Sequence, residues 1–364
     1  MTAKTPHNIA IAGAGLLGRL LAWHLLRAGC KVSLFDAGDF DLHKNPSNRA
    51  AAFTAAGMIA PLSEAVVSDA NVFRMGQYAL QQWPMWLANL KTTEPLFFQR
   101  GSLVIAHQQD ISELNQFENE LGFVIPDCKS YSRVNQQQIQ ELEPDIHPHF
   151  QQGLFLAEEG HIHNRELLRL LGIEILHLGA ALFENTSVEV SAYKIISETQ
   201  EFTFDAVIDC RGLGAKSEQH KLRGVRGETL HVETKEITLN RPVRLMHPRY
   251  QLYIVPKPNH QFIIGATQIE SEDRSPVSVQ STLELSSALY TLSPAFAEAR
   301  ILEMDVNLRP AYMDNLPKVK IQDGLISANG LFRHGYLLAP AVVENIIAKI
   351  FETGEDVFNH ELNI

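Results

Sequence analysis

Gly13, Gly15 and Gly18 stand in GAGLLG with the spacing G-x-G-x-x-G, a set of residues suited to holding a pyrophosphate. Gly13 permits a tight turn, Gly15 lets backbone approach a phosphate, and Gly18 lets a helix pack closely on a strand. Ala14, Leu16 and Leu17 between them would present backbone N–H groups at a helix N-terminus, where the partial charge is positive. Asp36, followed by Ala37, is placed to accept hydrogen bonds from ribose hydroxyls. A glycine-rich turn alone is a weak signal. Here an apolar strand from Ile9 to Ala12 leads into it, a helix-like stretch runs from Leu16 to Ala28, and Lys31 to Phe35 reads as a second strand. Strand, turn, helix, strand and terminal acid together predict a dinucleotide-binding unit at the N-terminus.

Other elements follow from pattern. The stretch from Ala50 to Ala60 is small and uncharged, which suits backbone approaching a bulky ligand. A helix is predicted over roughly Asn71 to Leu90, kinked or divided at Pro84, with Trp83 and Trp86 in the core. Phe97 to Ile105 reads as a strand, and Asp110 to Leu121 and Gln136 to Leu142 as helices. His161 and His163 would share a face if on a strand, but a metal needs more ligands than the neighbouring sequence offers, so none is expected. Asn164 is suited to cap a helix from Arg165 to Leu171. Strands are expected at Val188 to Val190 and from Phe204 to Cys210, the latter closed by Arg211 to Gly214. Gln251–Pro256 and Gln261–Gln268 read as a hairpin. A short strand at Leu325 to Ala328 precedes a helix from Pro340 to Phe351, with Pro340 in its first turn.

With 364 residues the chain exceeds a usual single core, so two domains are expected. The order of elements predicts an α/β fold in which a Rossmann-like unit (1–75, 151–221 and 306–364) interleaves with a mainly antiparallel substrate-binding unit (76–150 and 222–305). A net charge of −11 argues against nucleic acid as a partner. No apolar run approaches a membrane span. The three cysteines, Cys30, Cys128 and Cys210, are isolated, which points to a reducing compartment and a cytoplasmic location.

Nine segments, in order, resemble the FAD-dependent amine and amino-acid oxidases of the D-amino-acid oxidase superfamily, with a strong likeness to the glycine oxidases of thiamine biosynthesis. They are IAGAGLLG, TAAGMIAP, GHIHNRELL, VIDCRGLGA, VRGE, LYIVPK, IIGATQIE, LRPAYMDNLP and GLFRHGYLLAPA. The resemblance implies FAD on Gly13, Gly15, Gly18 and Asp36, with Thr54, Ala55, Ala56, Gly57 and Met58 along flavin and diphosphate. It implies adenine at the Val188 backbone, a second strand end at Cys210 and Gly212, and a loop of Leu331, Phe332, Arg333, His334, Gly335, Tyr336 and Leu337 beside the isoalloxazine ring. N–H groups of that loop and helix start would stabilise negative charge on the reduced ring.

For substrate, the resemblance implies Arg309 as the carboxylate anchor, Tyr253 as a hydroxyl partner and Arg333 nearby. The planar fork of a guanidinium matches a carboxylate. On a strand Gln251 and Tyr253 share a face, and aliphatic neighbours turned to the core leave both toward a cavity. Gln251 and Gln268 replace a histidine and a methionine of glycine oxidases, making the pocket more polar. Leu331 stands where relatives often have histidine. The chain has no cysteine near the C-terminal flavin segment and no histidine in Ala50–Ala60, where relatives attach flavin, so FAD is expected to be non-covalent. The implied reaction is oxidative deamination of glycine or another small amine by hydride transfer to flavin N5, with oxygen as acceptor and hydrogen peroxide as product. A dehydrogenase with another acceptor, a flavoprotein acting on a macromolecule-borne amine, and a flavin protein without turnover are the alternatives. Relatives are often homo-oligomers, but the sequence marks no interface.

Overall fold

The computed structural model describes residues 7–45, 49–126, 128–248 and 252–353, together with Phe358 and Leu362. A six-stranded sheet forms the nucleotide-binding half. Its order is Lys318–Gln322, Leu325–Asn329, Ala206–Asp209, Asn8–Ala12, Lys31–Phe35 and Ala181–Phe183, and only Lys318–Gln322 runs antiparallel to its neighbour. Alternation along Asn8–Ala12 decides which layer lies on each side. Ile9 and Ile11 face the helices Leu16–Arg27, Asn164–His177 and Gly335–Phe351. Ala10 and Ala12 face Ile195 and Phe204, under a three-stranded antiparallel sheet of Val188–Ser191, Lys194–Ser197 and Glu201–Thr203.

The second half is an eight-stranded sheet ordered Arg300–Ala311, Arg223–Glu233, Gln261–Gly265, Leu252–Lys257, Val243–Met246, Ser102–Ala106, Gln152–Leu156 and Tyr131–Asn135. Only Val243–Met246 and Ser102–Ala106 pair in parallel. The helix Val279–Leu292 packs on one face through Leu285, Leu289 and Leu292, and Ile111–Val124 packs on part of the other through Leu114, Phe117 and Leu121. The fold is therefore mixed α/β with two domains, as expected. Gln152–Leu156 hydrogen-bonds within the eight-stranded sheet, and the helix Ala70–Leu87 packs against Gly335–Phe351. We therefore propose that the domain division follows these contacts, moving both elements across the boundaries drawn at 75/76 and 150/151.

Several local expectations are corrected. The helix Ala70–Leu87 is not divided, because Pro84 lies in its last turn, and Trp83 and Trp86 are buried. His163, not Asn164, is the N-cap of Asn164–His177, and the Asn164 amide donates instead to the carbonyls of Ala52, Phe53 and Ala55. His161 stacks on Phe98, apart from the His163 cap. The hairpin forms with a turn at 258–260, Asn259 and His260 having positive φ. The last helix begins at Gly335, so Pro340 is inside it.

Candidate active site

The turns that follow four strands of the six-stranded sheet open into one cavity of about 530 Å³, which continues to the eight-stranded sheet. The carboxyl ends of parallel strands are where an α/β sheet leaves its crevice. After the first strand, Gly13 turns with φ +99° and donates to the Phe35 carbonyl at 2.8 Å. A Cβ on Gly18 would occupy the place of the Gly13 carbonyl, so only glycine lets the helix sit this close. That helix begins at Gly15 with no side-chain cap, which leaves its first N–H groups for a ligand. Asp36 accepts from the N–H of Ala14 at 2.6 Å and of Gly38 at 2.8 Å. Burial pushes its carboxyl up, and these two bonds pull it back.

Gly13, Gly15, Leu16, Leu17, Asp36 and Ala37 line the cavity, whereas Ala14 and Gly18 lie behind the wall. Thr54, Ala55, Ala56, Gly57 and Met58 all line it, as do Cys210 and Gly212. Val188 does not, and its carbonyl is taken by Arg211 Nη1 at 2.8 Å. Leu331, Phe332, Arg333, His334, Gly335, Tyr336 and Leu337 form one wall. Because the helix starts at Gly335, the N–H groups of its first turn are the unpaired ones beside the cavity. The Tyr336 carbonyl, which Pro340 cannot pair, accepts from the Trp83 indole at 2.9 Å.

On the opposite wall, two glycines make room for two functional side chains. A Cβ on Gly227 would occupy the space of the Arg309 guanidinium. A Cβ on Gly265 would stand 3.0 Å from the Tyr253 hydroxyl, across the strand pair that joins them. Arg309 Nη1 donates to the Thr267 carbonyl at 3.0 Å and, more weakly, to Arg226 at 3.4 Å. Burial pushes the Arg309 guanidinium down, opposed by Tyr253 nearby. Burial also pushes the Tyr253 hydroxyl up, opposed by Arg309 and Arg333. Gln268 lines the same part of the cavity and accepts from Arg333 Nη1 at 3.4 Å. Gln251 lies outside the described residues.

A carboxylate that sequence reasoning missed organises this wall. Glu64, on the short helix Pro61–Ala65, accepts from Arg244 at 2.7 Å and from Arg333 at 2.7 and 3.1 Å. His334 Nε2 lies 2.9 Å from it. Burial would raise this carboxyl, but Arg333, His334 and Arg244 hold it well below its ordinary value. Arg333 is thus held by Glu64 through Nε and Nη2, while its Nη1 lies beside Gln268 at the cavity. The signal in the sequence was Arg244 itself, a charge within the apolar strand VRLM that had to find a buried partner.

The family described as DAO, FAD dependent oxidoreductase, matches residues 8–348. The chain belongs to this family of FAD-dependent oxidoreductases. A Rhizobium etli protein provisionally named thiamine biosynthesis oxidoreductase ThiO is 35% identical over 343 residues, covering 94% of this chain and 96% of that protein. Glycine oxidase of Bacillus licheniformis is 23% identical over 354 residues, 93% of this chain and 91% of the relative. The crystal structure of glycine oxidase from Geobacillus kaustophilus shares the fold, with a TM-score of 0.82, 21% identity and 96% coverage of each chain. FAD, the cofactor of the DAO family, suits this cavity. The helix start at Gly15 carries no side-chain cap, and a Cβ on Gly13 or Gly18 would collide with backbone, so only this glycine turn brings the free N–H groups of the helix to the cavity. No helix among the described residues is long and apolar enough to cross a membrane.

Proposed function

We propose that this enzyme oxidises glycine or another small amino acid at its amine-bearing carbon, with FAD held non-covalently and oxygen as the final acceptor. The observation that carries this reading is Arg309. Its guanidinium lies in the room left by Gly227, near Tyr253, and donates only to two backbone carbonyls among the described residues. Such a group suits a substrate carboxylate, with the Tyr253 hydroxyl as second partner. FAD would rest on Gly13, Gly15 and the first turn of Leu16–Arg27, with Thr54 to Met58 and Leu331 to Leu337 along its length. Bound FAD supplies the two-electron acceptor.

The side chains do the positioning. With the carboxylate fixed at Arg309 and Tyr253, the amine-bearing carbon is held in one orientation, which is where most of the rate gain would arise. As the C–H bond breaks, its electron pair leaves with the hydrogen and the nitrogen lone pair forms the C=N bond. The resulting imine adds water and releases ammonia and an oxo acid. Oxygen takes up two electrons and two protons to give hydrogen peroxide. Glu64, occupied by two arginines and a histidine, is not free to act as a base. The Rhizobium relative supports a place in thiamine biosynthesis, and the three free thiols fit the cytoplasmic location expected from the sequence.

The test is anaerobic bleaching of the visible flavin band by glycine, sarcosine, D-alanine, D-proline and larger amines. Bleaching by glycine or sarcosine, with recovery and peroxide on admitting air, is expected. No bleaching by any amine would overturn the amino-acid oxidase reading.

A further inference from the structure

Six arginines line the cavity among the described residues. Arg49 pairs with Asp305, Arg211 with Asp209 and Glu218, and Arg244 and Arg333 share the single carboxylate of Glu64. The other two, Arg309 and Arg274, have no carboxylate within ion-pair distance among the described residues. One bound carboxylate would satisfy Arg309 and leave Arg274 with only the longer-range attraction of Glu272, which is itself paired with Lys216.

Arg274 stands on the segment between the strand Gln261–Gly265 and the helix Val279–Leu292, which also brings Gln268 to the cavity. The backbone on both sides of it is fixed. Buried Arg226 donates to the carbonyls of Asp273 and Ser275 at 2.8 Å each and of Pro276 at 2.9 Å. Its remaining N–H groups are held by the buried carboxylate of Glu228 at 2.6 and 3.1 Å. Glu272, next in the segment, accepts from the Gly224 N–H at 2.8 Å. Arg226 lies opposite Leu308 in the strand pair that carries Arg309, and its own carbonyl accepts from Arg309. One strand, Arg223–Glu233, therefore sets the positions of both the inner arginine and the loop of the outer one. A surface arginine on an untethered loop would lack that fixed relation.

We propose that Arg274 is a second anion-binding group of the substrate pocket, and that the preferred substrates are amino acids bearing a second anionic group, as amino dicarboxylates do. This rests on the amino-acid oxidase reading above, and it assigns the α-carboxylate to Arg309 and the distal anion to Arg274. Two cationic groups on one wall also raise the local concentration of anionic substrate. The exposed head of Arg274 fits an anion at the mouth, where longer substrates would reach it.

The test uses pairs of equal size that differ in distal charge: D-glutamate against D-glutamine, and D-aspartate against D-asparagine. Anaerobic flavin reduction of the holoenzyme gives kcat/KM for each, and the acid-to-amide ratio is compared between parent and Arg274→Ala. A fall of fivefold or more in either ratio, carried by KM, is expected, with Arg274→Lys retaining part of it and Arg274→Glu inverting the preference. A smaller change in both pairs overturns the proposal. If no amine reduces the flavin, the oxidase reading fails, and this proposal is judged by binding alone. Dissociation constants for glutarate and butyrate, read from the perturbed flavin spectrum, should then show a glutarate preference that falls fivefold or more in Arg274→Ala, and a smaller fall overturns it.

Discussion

The indole N–H of Trp83 donates to the carbonyl of Tyr336 at 2.9 Å, replacing the bond that the proline four residues later cannot make. Both side chains are buried, so the carbonyl has no route to water if the indole is removed. Trp83→Phe is expected to cost about 2 kcal/mol, the order for leaving a buried acceptor unsatisfied together with some lost packing. Pro340→Ala restores an N–H at the right place in the helix. In the Trp83→Phe background it should recover part of the loss, measured by urea midpoints. Strictly additive effects of the two substitutions would show that they do not share this carbonyl.

The tie between Gly227 and Arg309 gives a steric test. Gly227→Ala forces the guanidinium from its place without touching its charge or the nucleotide cradle. We expect KM for a carboxylate-bearing amine to rise by about tenfold, corresponding to about 1.4 kcal/mol, while FAD stays bound. A loss of FAD with unchanged KM in the remaining holoenzyme would mean that Gly227 serves the cofactor instead.

Arg309→Lys asks for the fork rather than the charge. A lysine keeps the cation and loses the planar pair of donors, so KM should rise roughly tenfold to a hundredfold, with the flavin spectrum intact. Unchanged steady-state constants would remove Arg309 from the substrate site.

Glu64 joins both halves of the wall, and its substitution separates stability from binding. Glu64→Gln leaves Arg244 and Arg333 facing a neutral amide, at a cost of about 3 kcal/mol, the order for breaking a buried pair. Its folded carboxyl is depressed, so its contribution is complete above the ordinary value of 4.5 and is lost as pH falls below that toward the folded value. The Tm gap between parent and variant should therefore narrow as pH drops below about 4.5. A gap that is constant through that range would deny Glu64 its charge.

The nucleotide half was legible because its chemistry is local. The turn at Gly13, the acid at Asp36 and the strand and helix around them lie within one short stretch of chain. The substrate wall is assembled from Glu64, Arg244, Tyr253, Arg309 and Arg333, which meet only through sheet pairing and the last helix. Sequence pattern could nominate Tyr253 and Arg309 by family likeness, but it could not show that Glu64 holds Arg333. Pro340 misled for a related reason. A proline favours a first helical turn, and here Trp83 supplied the missing donor from another helix, which let the helix start at Gly335. Asn164 had the chemistry of a cap, and three carbonyls of the Ala52–Ala55 segment claimed its amide instead.

Buried histidines weaken the fold as pH falls, and three of them show where. His24, His163 and His231 are each lowered to about 4 from an ordinary value of 6.5, mainly by burial. At His231 the cations Arg165 and Lys257 add to the lowering, and Glu303 opposes it. Because the folded values are depressed, stability is full above pH 6.5 and falls as pH drops from there toward 4, where the unfolded chain binds protons that the folded one does not. For His231, only 8% exposed, the loss across that window is on the order of 2 to 3 kcal/mol, at about 1.4 kcal/mol for each tenfold loss of proton affinity. Thermal unfolding followed from pH 7.5 to 4.5 should show a steady decline in Tm, and His231→Asn, which takes up no proton, should make it shallower by the His231 share. A variant that keeps the parent's slope between pH 6.5 and 4.5 would show that His231 is not protonated on unfolding in this range.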